Sequence, residues 1–124
     1  MKHEDLTRQV IDAAMKVHSA LGPGLLESAY EACLLFELGK RGLHAARQVE
    51  LPVVYDNVRI DAGYRIDLLV EETVVVELKS VEQFLPIHEA QLLSYLKLSG
   101  KQVGLLINFN VVHLKDGLKR MVNS

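Results

Sequence analysis

The stretch RIDLLVEETVVVELKS, Arg65 to Ser80, decides the fold: it holds two apolar runs of strand length, and charge breaks both. Side chains alternate faces along a strand, so Arg65, Asp67 and Leu69 share one face while Tyr64, Ile66, Leu68 and Val70 share the other. In the next run Val75, Glu77 and Lys79 point one way and Val74, Val76 and Leu78 the other. If Val70 pairs with Val74 across a turn at Glu71-Glu72-Thr73, then Leu68 faces Val76, Ile66 faces Leu78, and one side of the ladder is wholly apolar. That register sets Asp67 directly opposite Glu77. A slip by one residue, as a turn of only Glu71-Glu72 would give, carries Asp67 into the core beside Val74 and Val76. The hydrophobic pattern therefore predicts the register that brings the two carboxylates together.

Carboxylates directly opposite on paired strands, with Cβ atoms ~4.5–5.5 Å apart, repel each other unless something positive lies between them. A divalent cation answers that need, and hard oxygen ligands of this kind suit magnesium or manganese, which use one or two carboxylates, waters and a phosphate oxygen. Lys79, two residues past Glu77 on the same face, is placed to neutralise charge on a phosphate or to orient an attacking water. The plainer alternative is a surface ion cluster in which Lys79 pairs with Asp67 or Glu77 on a solvated face.

Outward from this centre, EDLTRQVIDAAMKVHSALG has apolar residues at helical spacing and stops at Gly22-Pro23. A second helix begins near Leu25, carries Leu26, Tyr30, Cys33, Leu34 and Leu38 as its apolar stripe, and ends at Gly42. From Gln48 the period becomes that of strands: QVELPVVY, with Pro52 at an edge or bulge, then the turn pair Asp56-Asn57, then VRIDAGYRIDLLV. Helical spacing returns from Ile87 to Ser99, QVGLLINF follows as a strand, and the alternation of Leu118, Arg120 and Val122 favours a last strand over a helix. The order predicts an α/β (α+β) fold, a mixed sheet with helices packed on it. In the later helix Gln91 and Tyr95 are four apart and His88 lies three before Gln91, so all three share a face. Such a group can hold a metal-bound water, a carboxylate or a phosphate; equally it can be an ordinary polar rim.

The 124 residues fit one domain, 1–124, able to bury a core without disulfides or a structural metal. The single cysteine, Cys33, fits a small buried residue of a helix and excludes multi-cysteine zinc and iron–sulfur sites. The charged start MKHEDLTRQV and the absence of long apolar runs point to a cytoplasmic protein without a membrane span. A net charge of -2 argues against a large sequence-independent DNA-binding surface but leaves room for a local basic groove.

Asp67, then Glu77-Leu78-Lys79 ten residues on, then Gln91-Leu92-Leu93-Ser94-Tyr95, resembles the PD-(D/E)XK nuclease superfamily, in particular its RecB-like branch with a Q-x-x-x-Y helix. GLLESAY, Gly24 to Tyr30, is similar to the signature of the small GxxExxY proteins. The resemblance implies a restriction-endonuclease-like central mixed sheet flanked by helices, with Asp67, Glu77 and Lys79 at the catalytic positions. Asp67, Glu77 and Glu27 would hold Mg2+ or Mn2+, and Gln91, Tyr95, Tyr30 and His88 would bind substrate or support the ligands. It implies hydrolysis of nucleic-acid phosphodiesters, DNA first; a nuclease fold retained as a catalytically inactive binding or regulatory module is the alternative. A homodimer is expected, because so small a domain offers little surface to a long phosphate backbone.

Overall fold

A computed structural model describes residues 3–123; Met1, Lys2 and Ser124, the ends of the charged start and of the final strand reading, lie outside it. Two helices come first, α1 (Glu4–Leu21) and α2 (Glu27–Lys40), followed by β1 (Ala45–Glu50), β2 (Val53–Tyr55), β3 (Val58–Ile60), β4 (Arg65–Val70) and β5 (Val74–Lys79). Then come α3 (Pro86–Ser99), β6 (Val103–Asn108), a single 3-10 turn and β7 (Leu118–Val122). The main sheet has the order β1-β4-β5-β6-β7, parallel only between β5 and β6 and antiparallel elsewhere. The expected mixed sheet flanked by helices is thus present, and the tail is a strand.

Each face of the sheet is covered. Leu68, Val70, Val74, Val76 and Leu78 bury against α1 and α2 through Val10, Val17, Tyr30, Leu34 and Leu38. Leu69, Val75 and Leu106 bury against α3 through Leu92, Tyr95 and Leu96. Burial on two faces explains why β5 and β6 read as continuous apolar runs rather than as alternating ones. Gly104 lets α3 lie close, since a Cβ there would stand 2.8 Å from a Leu92 methyl.

The register is the one the apolar pattern predicts: Val70 faces Val74 and Leu68 faces Val76. Glu71 and Glu72 both take left-handed backbone, and the Thr73 N–H donates to the Val70 carbonyl at 2.9 Å. Thr73 is then one residue more than a two-residue turn needs, which restores the pairing that keeps Asp67 out of the core. Ile66 is buried as expected, but among Leu69, Val75 and Leu92 rather than with Leu68, because regular pairing with β5 stops at Leu68.

Strand reading of QVELPVVY and VRIDAGYRIDLLV needs correction. β1 starts earlier, at Ala45, and ends before Pro52, whose missing N–H cannot continue a ladder. β2 and β3 leave the sheet and pair only with each other, across the Asp56-Asn57 turn whose φ values are 52 and 62. Residues 51–64 are therefore an insert between two adjacent strands, closed at its neck by the Leu51 N–H donating to the Tyr64 carbonyl at 2.9 Å.

Candidate active site

The carboxylates of Asp67 and Glu77 sit where ladder bonds between β4 and β5 would be. The Asp67 N–H donates to Glu77 Oε2 at 2.8 Å, and the Leu78 N–H donates to Asp67 Oδ2 at 2.8 Å. Each strand's acid thus binds the other strand's backbone, which fixes both side chains against the sheet. Glu77 is 4 % exposed. Burial, with Asp67 next in weight, pushes its pKa up to about 8, and burial likewise raises that of Asp67, with Glu31 adding to the effect.

On the other side of Asp67 the ladder skips Gln48, whose φ of 51 lies in the left-handed region, an arrangement that costs a non-glycine residue roughly 1–3 kcal/mol. Its side-chain amide donates to Glu31 Oε1 at 2.6 Å and, more weakly, to Asp67 Oδ1 at 3.4 Å. Glu31 is itself buried and takes a second bond from Arg47 at 2.9 Å. Neither Glu31 nor Gln48 stood out in the sequence. The available signal was Glu31's place one turn after Glu27, between the apolar Tyr30 and Leu34.

Glu27 opens α2 and accepts the Ser80 N–H at 3.3 Å, while the Ser80 hydroxyl donates to the Leu25 carbonyl at 2.7 Å. These bonds dock the start of α2 on the end of β5, close enough for Glu27 to contribute to the raised pKa of Glu77. Tyr30 has no exposed surface to offer a substrate. Its hydroxyl donates to the Gly22 carbonyl at 2.6 Å and accepts the Leu25 N–H at 3.1 Å, and its ring stacks on Phe109 at 4.4 Å. It holds the corner from which Glu27 projects.

From the α3 side, Lys79 donates to Gln91 Oε1 at 3.4 Å and Gln91 donates to the Tyr95 hydroxyl at 3.2 Å. Tyr95 is pushed above its ordinary pKa by burial first and by Glu77 second. His88 spends Nδ1 on the Leu85 N–H at 3.1 Å, capping the first turn of α3. Asn108, paired in register with Lys79, binds the Val81 N–H and carbonyl at 3.1 and 2.8 Å and so secures the chain just beyond Lys79.

The surface ion-cluster alternative requires exposed acids stabilised by Lys79. Here Glu77 is buried with its pKa raised, and among the described residues no ion pair joins Lys79 to either acid. The family model of the PD-(D/E)XK nuclease superfamily matches residues 4–121. The chain belongs to that superfamily. No match emerges among curated proteins or among solved structures. Members of this nuclease superfamily generally use divalent metals and act on nucleic acid. Among the described residues no three Asp, Glu, His or Cys side chains form a ready-made metal cage, and no helix is long and apolar enough to cross a membrane. The donor set nonetheless fits a hard cation: Asp67 and Glu77 each commit one oxygen to backbone, and the second oxygen of Asp67 meets only the long Gln48 contact at 3.4 Å, which suits magnesium, an ion that takes one or two carboxylates and completes its shell with water.

Proposed function

We propose that this nuclease-superfamily domain, spanning 1–124, hydrolyses phosphodiester bonds of nucleic acid, DNA first, in a magnesium- or manganese-dependent reaction. The clamped, desolvated pair Asp67 and Glu77 carries the reading, because a fold that forces two acids together at a folding cost has built what a cation needs. Asp67 and Glu77 would hold the ion, with Glu27 beside them. A bound ion supplies Lewis-acid polarisation of the phosphate and a lowered pKa for water. Lys79, kept in place by Gln91, offsets charge that develops on the phosphate oxygens or orients the attacking water. Tyr95 braces Gln91, and His88 flanks the same wall from the start of α3. Glu31 and Gln48 hold Asp67 from the β1 side.

The Q-x-x-x-Y helix supports a further assignment to the RecB-like branch, and the G-x-x-E-x-x-Y segment one to the small GxxExxY proteins. Assembly as a homodimer is proposed on size alone, and a monomer by light scattering at micromolar concentration would remove it. The second reading is a binding module of the same fold without turnover, favoured by the net charge of -2.

Wild type and Lys79→Ala, incubated in parallel with a panel of single- and double-stranded DNA and RNA in manganese, test the activity. Cleavage by wild type that falls at least about a hundredfold in the variant supports the nuclease, in line with the loss of one charge-stabilising group. Equal cleavage by both would mark a contaminant. No cleavage, with metal still raising the melting temperature, would favour the binding module.

A further inference from the structure

A groove of about 570 Å³ runs between α3 and the β2–β3 insert. Its walls include Tyr64, Ile87, His88, Gln91, Tyr95 and Leu98, and no lysine, arginine, aspartate or glutamate lines it. Gln91 and Tyr95 belong at once to this groove and to the chain of bonds that reaches Lys79, so groove and carboxylate cluster share a wall. The volume is within the usual ~300–1,000 Å³ of small-molecule sites. Tyr64 meets Tyr95 edge-on at 6.0 Å and is 45 % exposed, which leaves ring surface available to a visitor. Ile87 and Leu98 are exposed apolar side chains on the same wall.

We propose that this groove takes an unstacked nucleobase of a single-stranded nucleic acid, seated beside the scissile phosphate. The inference rests on the nuclease reading for its choice of ligand. A phosphate meets no lysine or arginine in the groove, and His88 there already spends Nδ1 on the Leu85 N–H, whereas a base presents a flat π-face to tyrosine and aliphatic walls, and polar edges to the Gln91 amide and the Ser94 hydroxyl. Bases inside a duplex are stacked on both faces and paired at the edge, so they cannot enter without being pulled out. A chain of net charge -2 also has little means to bind a duplex through its phosphates alone. Base burial then becomes the selective step, and single strands or frayed ends the selected form.

Binding is measured on the full chain carrying Asp67→Asn in a chelating buffer, so that neither metal nor cleavage enters, with a short labelled DNA strand, its duplex, and copies of the strand with one abasic sugar moved along it. The single strand should bind at least about tenfold tighter than the duplex, and one abasic position should cost roughly 5- to 100-fold, the usual worth of one base–aromatic stack. Tyr64→Ala, at a half-exposed position, should erase that positional effect, and Leu98→Glu should weaken single-strand binding. Indifference to duplex formation or to every abasic position overturns the proposal, and does so even if wild type proves a nuclease in manganese. Position-dependent binding with no cleavage of any substrate sustains the base site while the nuclease reading fails. Should Leu98→Glu split a dimer yet leave strand binding unchanged, the groove is a contact between copies and the proposal falls.

Discussion

Glu77 is an acid whose charged form the fold opposes, by burial and by Asp67 across the ladder. Its folded-state pKa, about 8, lies above its ordinary 4.5, so the stability it contributes is complete below the lower value and is lost as pH rises through the upper one. Asp67 is raised too and acts with the same sign. The metal-free protein should therefore melt at a falling temperature between about pH 5 and pH 9, and Glu77→Gln should flatten that slope and gain of order 1–3 kcal/mol at its alkaline end. Melts in a chelating buffer check this; a wild-type stability that climbs with pH over the window would refute it. Asp67→Asn should likewise stabilise the metal-free chain, since asparagine keeps one oxygen for the Leu78 N–H while the repulsion goes. The same change should abolish the rise in melting temperature that manganese gives wild type, a rise worth ~2.7 kcal/mol at a hundred times the dissociation constant. Had Asp67 been a surface partner of Lys79, its loss would instead cost under ~1 kcal/mol and leave manganese without influence.

At the level of elements, the ladder of β4 and β5 was legible because a one-residue slip would set Asp67 beside Val74 and Val76, and α3 was legible from its spacing between Pro86 and Gly100. The backbone of Gln48 was not, since left-handed φ at a residue other than glycine is imposed by the surroundings and has no local signature. Tyr30 carries a family-like motif, yet its work is internal, at the corner between α1 and α2. Asn108 was hidden at the polar end of an apolar run, where only the packing of β6 beside β5 reveals that its amide secures Val81. Asn108→Ala should lose about 1–3 kcal/mol, the cost of buried backbone groups left without a partner, and should lower any cleavage by loosening the chain after Lys79. Denaturant titration beside the cleavage assay tests this pairing of effects. Asn108→Ala with wild-type stability would mean that water replaces the amide at no cost.

Across the whole molecule, the acidic cluster gathers residues from α2, β1, β4 and β5, while α3 supplies Gln91 and Tyr95 from the opposite sheet face. Periodicity marks the parts that sit on regular elements, whereas the expectation that the two layers meet came only from the family resemblance, because convergence of two layers is a property of packing. The separateness of the β2–β3 insert has a further consequence. β1 and β4 pair directly, with Glu50 opposite Arg65 at the neck, so residues 51–64 hang from two neighbouring strands like a cassette in a slot. Evolution can rewrite or shorten that cassette without re-registering the strands that carry the acids, and with it one wall of the groove, through Val53 and Tyr64. The groove wall and the paired acids thus rest on separable pieces of backbone.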